Sequence, residues 1–382
     1  MDIIENAKQL AEQINTRSAD IEQARRLPAD IAQSIAEAGL FRMLIPASLG
    51  GLQCHPGTVI EAIEAISRAN ASAGWCTMIA ATTGVSAAYL QPAIAAAIFS
   101  PPALITGGVF APMGKAIVDG DGYRLSGHWN WASGSANCDW LLGGAMVMEN
   151  DQLKRNADGS PLALQFLFPA EQATLQDTWH VTGLVGTGSG DMLVDNLYVP
   201  ATHSLSLAAD KPVASGPLYA FPVFGLLAMG IAAVSLGNAR AAIDDLKELA
   251  RGKKSQGSSK TLADRATSQS QLAQAEATLG SARAFLFDAV HKAYAAAENN
   301  GSIALDIRAN VRLAATYAVR QCADVTRSMY DLGGGSAVFL SSPLQRRMRD
   351  AHVATQHMMV APQSYELVGR VGFGLDTDST FL

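Results

Sequence analysis

Apolar positions repeat with a helical period through the first hundred residues. Pro28 opens one run, which continues through Ala38 until Gly39 marks its end, the proline-first and glycine-last placement that helices favour. Pro46-Ala47-Ser48-Leu49-Gly50-Gly51-Leu52 interrupts the pattern. Pro56 opens another helix through Arg68, and Trp75 to Leu90 reads as an uncharged helix of small residues. Near Leu104 the period changes. Ile105, Val109, Ile117, Val118, Tyr123, Leu125, Leu141 and Met146 fall in short runs divided by Gly, Pro and Asp. Gln165 to Phe168 and Met192 to Pro200 extend this character, which predicts a β-domain. Asn150 to Pro161 reads as a solvated loop. From Pro222 to Gly369 the chain turns helical again, in four long segments divided near Gly252, Asn299-Asn300-Gly301 and Gly333-Gly334-Gly335. The pattern predicts an α+β chain: an N-terminal helical domain over 1–102, a β-barrel or sandwich over 103–215, and a C-terminal four-helix bundle over 216–382.

Composition narrows the function classes. Of 382 residues, 49% are hydrophobic and only 16% charged, so much surface must be buried within the chain or between subunits. A homo-oligomer is the economical expectation. The net charge of −6 argues against nucleic acid, which calls for a basic footprint. Cys54, Cys76, Cys138 and Cys322 lie far apart with no C-x-x-C pair, the usage of reduced thiols in a cytoplasmic protein. The first residues carry early acids and no apolar run, so no secretory signal is expected. Ala69 to Gly114 and Pro212 to Ala239 hold no charge at all. Prolines and small polar residues dilute both below an unbroken span of about 20 apolar residues. Buried helices of a large assembly are expected, with no membrane.

Candidate chemistry concentrates between Gly122 and Trp140, which holds Trp129, Trp131 and Trp140, three of the five tryptophans. Asp119-Gly120-Asp121-Gly122, overlapping its start, signals a tight turn between two strands. Two readings compete for this segment. One is a Trp-rich hairpin that fills a β-core, the usual fate of large aromatics. The other is a planar-ligand site with aromatic walls and a small Ser133-Gly134 corner. Metal-ligand spacing is absent: His352 and His357, five apart on an expected helix, lie about 140° apart around it. No serine sits in a nucleophile elbow. Gly333-Gly334-Gly335-Ser336 could cradle phosphates, or simply end a helix.

The helical–β–helical order, with Leu44-Ile45-Pro46-Ala47-Ser48-Leu49-Gly50-Gly51 early on, resembles the acyl-CoA dehydrogenase fold. Trp179-His180-Val181-Thr182-Gly183-Leu184-Val185-Gly186-Thr187-Gly188-Ser189-Gly190-Asp191 resembles that family's β-domain signature, whose Thr-Gly-Ser turn meets the flavin. Further pieces are similar to the branch of two-component flavin-dependent monooxygenases: Phe110-Ala111-Pro112-Met113-Gly114, Leu125 to Trp129, Ala132-Ser133-Gly134, Cys138-Asp139-Trp140, and Pro343 to His352 followed by His357. The wording around Gly74-Trp75-Cys76 and Gly107 to Pro112 is similar to indole-oxidising members. Many family dehydrogenases carry a catalytic Glu near the position of Met358, others on an earlier helix; methionine cannot serve as a base, which weakens the dehydrogenase reading without closing it. Phenol-hydroxylating relatives often carry a His where Thr82-Thr83 stand, so its absence favours a ring that needs no deprotonation.

The resemblance implies reduced FAD or FMN from a separate flavin reductase, O2, and a C4a-hydroperoxide that donates oxygen to an indole-like or phenolic ring. It places Ser133 beside flavin N5, with Phe110, Ala111, Pro112, Trp131, Thr187, Gly188 and Ser189 around the flavin. Gly334 and Gly335 would take the flavin tail across a tetramer interface. His357 would hydrogen-bond or protonate the distal oxygen. Trp75, Thr82, Thr83 and Met358 would line the substrate. An FAD-dependent acyl-CoA dehydrogenase is the alternative the same resemblance leaves open, with a non-catalytic assembly subunit as a third.

Overall fold

The computed structural model describes residues 2–254 and 257–382. Six helices come first: α1 (Ile3–Thr16), α2 (Ser18–Ala24), α3 (Ala29–Glu37), α4 (Pro56–Ala69), α5 (Ala71–Thr83) and α6 (Pro92–Phe99). Local chemistry sets their ends. Asn70 lies between α4 and α5 in extended conformation, and its side chain accepts the Ala73 N–H at 3.1 Å, a side-chain N-cap. Gly39 follows α3 with φ +82, the left-handed turn that glycine adopts without strain. The uncharged helix expected from Trp75 to Leu90 starts earlier and stops sooner. α5 ends at Thr83, and Gly84–Ala88 tightens into a 3₁₀ turn.

Among the described residues, eight strands follow: β1 (Thr106–Asp119), β2 (Gly122–Trp129), β3 (Trp140–Glu149), β4 (Gln152–Leu153), β5 (Ala163–Pro169), β6 (Thr174–Gln176), β7 (Asp191–Pro200) and β8 (Ser204–Leu205). They form one sheet ordered β6-β7-β2-β1-β3-β5-β8, with β4 paired to β3. The β1–β3 pair is parallel and the others antiparallel. β4 places a two-residue strand inside the segment expected to be loop. The Gly120-Asp121 turn joins β1 to β2, with Asp119 facing Gly122. In β1 the register slips between Val109 and Gly114, where Phe110 to Met113 bulge past Gly144 of β3. Bulges of this kind re-aim a strand beside functional sites.

The three tryptophans divide between the two readings. Trp129 is fully buried, and its Nε1–H donates to the Gly144 carbonyl at 2.7 Å. It fills the β-core with Phe166, Phe168 and Leu125. Trp140 is half-buried, its ring stacked on His203 at 5.9 Å. Trp131 stands 67% exposed.

The remaining helices are α7 (Pro217–Ala220), α8 (Val223–Gly252), α9 (Ala266–Asn300), α10 (Leu305–Gly333), α11 (Pro343–Ala354) and α12 (Gln363–Gly372). The fourth long segment expected from the pattern is thus two short helices joined by a turn. α8 is the axis of the molecule. Its most apolar window has mean hydropathy 1.5 and is 94% buried inside the protein. Val59, Ile60, Ile63 and Ile66 form the buried face of α4, which packs against α8. Pro212 to Ala239, expected to need burial against another subunit, is covered largely by the chain's own helices. Ion pairs tie the layers at their rims: Arg68 to Asp244 at 2.8 Å, and Arg283 to Glu64 at 2.9 Å.

Candidate active site

The Ser133-Gly134 corner and the Thr187-Gly188-Ser189 turn meet against α5. Trp75 Nε1–H donates to Ser133 Oγ at 3.1 Å, and the Ser133 and Ser189 hydroxyls are 2.6 Å apart. The Ser189 and Thr187 hydroxyls are likewise 2.6 Å apart, and Thr187 Oγ1 donates to the Leu184 carbonyl at 2.8 Å. All three hydroxyl residues are buried. A hydroxyl carries one proton, and Thr187 spends its own on Leu184. Ser189 therefore donates to Thr187, and Ser133 donates to Ser189. The chain runs one way, from the Trp75 N–H to the Leu184 carbonyl. It leaves Ser133 one free lone pair and no free proton.

Leu184 is held from its other side as well. Its N–H donates to Asp350 Oδ1 at 2.6 Å, and its φ is +50. Asp350 belongs to α11, whose backbone approaches Gly183 so closely that a Cβ there would lie 2.3 Å from the Arg349 carbonyl. Arg349 bonds the Thr182 carbonyl, and also Glu22 at 2.6 Å. Arg347 bonds Asp245 at 3.2 Å and the Ala69 carbonyl at 3.3 Å. The Arg-rich stretch of α11 is thus a clamp that fixes the Thr187 turn. Gly134 N–H donates to the Thr187 carbonyl at 2.9 Å, which joins the corner to the turn directly. Gly188 completes the turn with φ +54.

His357 joins this cluster through Trp75: the two rings meet edge to face with centroids 5.8 Å apart. It is not on a helix. α11 stops at Ala354, and His357 caps the 3₁₀ turn Met358–Val360, its Nδ1 accepting the Met359 N–H at 3.2 Å. An imidazole that accepts at Nδ1 carries its proton at Nε2 when neutral. Burial, aided by the nearby Arg312 charge, pulls its pKa from 6.5 down to about 4. At neutral pH it is a neutral Nε2–H donor.

Asp350 shifts the opposite way. Burial lifts its carboxyl from 3.8 to about 6, against the opposing pull of the Leu184 N–H. The two shifts oppose each other in acid. Folded Asp350 binds a proton more readily than unfolded Asp350, so its contribution to stability grows as pH falls from 6 toward 4. Folded His357 binds a proton less readily, so its contribution is lost as pH falls from 6.5 toward 4. Asp350→Asn should therefore steepen the fall in Tm between pH 7 and 4.5, and His357→Gln should flatten it. Thermal melts across that range check both, and parallel curves for all three proteins would refute the pairing.

The other expected site residues are placed unevenly. Phe110 and Ala111 lie half-buried in the β1 bulge, with Pro112 exposed beside them. Trp131, two residues from Ser133, has φ +66, an uncommon backbone for a bulky residue. Thr82 and Thr83 are buried, but their hydroxyls bond back to Met78 and Ile79 carbonyls at 2.8 and 2.9 Å. They offer a ligand only methyl surface. Met358 is exposed beside His357. Gly334 and Gly335 follow the C-terminus of α10, with the Lys253 ammonium bonded to the Gly333 carbonyl. Arg312, on the helix that packs against the Met358–Val360 turn, lies about 33 Å from Gly334 along the α10 axis. Within one chain these glycines do not join the Ser133 cluster.

Sequence reasoning placed Leu184 and Asp350 inside motifs without giving either a role, passed over Arg312, and noted of Cys76 and Cys138 only that they lie far apart. Both thiols flank the Ser133-Gly134 corner: Cys76 bonds the Thr187 carbonyl at 3.8 Å and Cys138 the Gly134 carbonyl at 3.5 Å. Burial pushes the Cys76 thiol up to about 12 and raises Cys138 as well, so neither is a nucleophile. Among the described residues, no group of three or more His, Cys, Asp or Glu side chains is placed to hold a metal.

Two family descriptions match this chain: "Acyl-CoA dehydrogenase, N-terminal domain" over residues 2–93 and "Acyl-CoA dehydrogenase, C-terminal domain" over residues 229–362. The chain is 34% identical to indole-3-acetate monooxygenase of Pseudomonas putida, over 94% of this chain and 90% of that one. Its fold superposes on the HsaA monooxygenase from M. tuberculosis with TM-score 0.91 and 27% identity, over 100% and 99% of the two chains. XiaF from Streptomyces sp., solved in complex with FADH2 and glycerol, superposes with TM-score 0.88 and 26% identity, over 98% and 95%. The chain belongs to the acyl-CoA dehydrogenase family, among its flavin-dependent monooxygenases.

Proposed function

We propose that this chain is the oxygenase component of a two-component system that takes reduced FAD or FMN from a flavin reductase. With O2 it places one oxygen atom on an electron-rich, indole-like ring and releases the other as water. The observation that carries this reading is the one-way hydroxyl chain ending on Ser133. Its free lone pair accepts an N–H, which reduced flavin presents at N5 and oxidised flavin does not. The cluster suits a flavin in other respects: the donors are uncharged, and Trp131 offers an exposed aromatic plane beside them. Phe110, Ala111, Pro112, Gly188 and Ser189 are proposed to border the same group. Reduced flavin supplies the electrons that activate O2, chemistry that side chains alone do not provide.

The chain's own residues then have separate tasks. Ser133 accepts and orients. Trp75, fixed by Ser133, gives the substrate an aromatic wall, to which Met358 and the methyl surfaces of Thr82 and Thr83 contribute. His357 holds its proton at Nε2 and offers it as a hydrogen bond to developing negative charge on oxygen. With its pKa near 4, it acts as a donor and not as a stored proton. The dehydrogenase reading needs a carboxylate base beside the substrate. Here Met358 stands where that base is expected in many relatives, and Asp350, the carboxylate bonded to the Thr187 turn, is turned to Leu184. Turnover with NADH, a generic flavin reductase and a panel of indoles, phenols and acyl-CoAs decides the matter. Acyl-CoA oxidation with no oxygenated arene would overturn the proposal.

A homotetramer in the cytoplasm completes it. Val338, Phe339 and Leu340 stand 58%, 64% and 88% exposed just beyond Gly334 and Gly335, an apolar knuckle that a partner copy would cover. Copies paired there would bring these glycines to a neighbour's flavin tail. Light scattering should give four chains at micromolar concentration, and Leu340→Asp should shift the mass downward. A wild-type monomer would end the shared-site proposal.

A further inference from the structure

We propose that Arg312 and Thr316 anchor a carboxylate carried by the aromatic substrate, so that the preferred class is an aryl or indolyl carboxylic acid. The inference rests on the oxygenase reading above. Arg312 is only 2% exposed and, among the described residues, pairs with no carboxylate; its Nη2 donates to the Phe381 backbone carbonyl, and its Nε has no partner. Thr316, one turn further along α10, is fully buried with its hydroxyl unpartnered. A threonine inside a helix commonly bonds back to its own backbone, and Thr77, Thr82 and Thr83 of α5 all do so. Thr316 does not. Arg308, one turn before Arg312, also has an unpartnered Nε.

The other two fully buried arginines are satisfied, while the half-buried Arg346, like Arg308, keeps an Nε unpartnered among the described residues. Arg347 has Asp245, and Arg42 spends three nitrogens on the carbonyls of Leu49, Gly50 and Pro101. A buried guanidinium without a counter-charge is costly, and its planar fork matches a carboxylate with two parallel hydrogen bonds. The position gives this fork a purpose. Arg312 belongs to α10, which packs against the Met358–Val360 turn that His357 caps, and the His357 ring meets Trp75 and through it Ser133. An acid held at Arg312 would direct its ring toward that cluster. The rival account makes Arg312 only a fastener for the chain segment at Phe381, whose ring packs on Phe224 at 4.9 Å.

Arg312→Gln separates the two. The ratio of kcat/KM for indole-3-acetate to that for indole should fall about 10- to 100-fold, the span of a charged hydrogen bond, whatever change is common to both substrates. Thr316→Val, a smaller change to the fold, should lower the same ratio severalfold. Without flavin, millimolar indole-3-acetate should raise the wild-type Tm more than indole does, and Arg312→Gln should erase that difference. A fastener loses Tm and both substrates in parallel, and an unchanged ratio would overturn the anchor. If wild-type protein oxygenates neither compound, the indole-like ring of the oxygenase reading is refuted, and equal Tm responses to the two compounds would sink the anchor separately.

Discussion

His357→Ala is expected to cut coupled oxygen insertion by about 10²-fold or more, within the usual span for losing a positioned proton-donating group. Reduced flavin should still be consumed, its electrons leaving as hydrogen peroxide. Folding should change modestly, because the ring's one backbone bond, from Met359, lies at 3.2 Å and its contact with Trp75 is edge to face. His357→Gln can place an amide donor near Nε2 and should recover part of the coupling, which a purely packing role would not explain. The neutral imidazole adds a pH signature. Coupling should stay level from pH 6 to 8 and decline only toward pH 4 to 5, as the ring protonates. Product and peroxide yields, with Tm for each protein, test this together. Wild-type coupling in the alanine variant would remove His357 from the chemistry.

Ser133→Ala should act on two quantities at once. It strands the Trp75 N–H in a buried place and breaks the hydroxyl chain at its working end. An unsatisfied buried donor costs about 1–3 kcal/mol, so Tm should fall by several degrees. Coupling should fall about tenfold, since the acceptor offered to reduced flavin is gone. Ser189→Ala makes the informative control. It leaves the Ser133 hydroxyl in place but frees its proton, so affinity should move from reduced toward oxidised flavin. Anaerobic titration with both redox forms reads this without turnover. Equal affinities in wild type, Ser133→Ala and Ser189→Ala would refute the polarity of the chain.

Much of this architecture could be read from periodicity and punctuation. Pro28 with Gly39, and the run from Pro56 through Arg68, bound helices within a residue or two because proline and glycine act through local sterics. The break from helical to alternating pattern near Leu104 precedes β1 by two residues. The turn that carries His357 was harder to foresee. Thr355, Gln356 and His357 suit a helix locally, and only Ala361-Pro362 hinted otherwise, since a residue before proline avoids the helical region. Ala361 is extended, with ψ 159. The hydroxyl pairings could be anticipated only by resemblance, because Ser133 and Ser189 are 56 residues apart. Asp350 lies in the Pro343–His352 motif, but nothing local gave it a role, and Arg312 stands in an ordinary helical stretch. Their significance comes from burial, which depends on packing and on no short pattern.

The partnership of α4 with α8 also sets a timetable for biogenesis. About 150 residues separate the end of α4 at Ala69 from the start of α8 at Val223. At ordinary translation speeds the ribosome needs roughly 8–30 s to cover that distance. Through that interval the Val59-Ile60-Ile63-Ile66 face lacks its α8 partner, although α1 and α5, which also pack on α4, can shield part of it. When α8 emerges, its apolar surface must find helices made long before, with the whole β-sheet synthesised in between. Nascent chains of this protein are therefore natural clients for chaperones that hold apolar helices. A stall before residue 223 would release a fragment prone to aggregate.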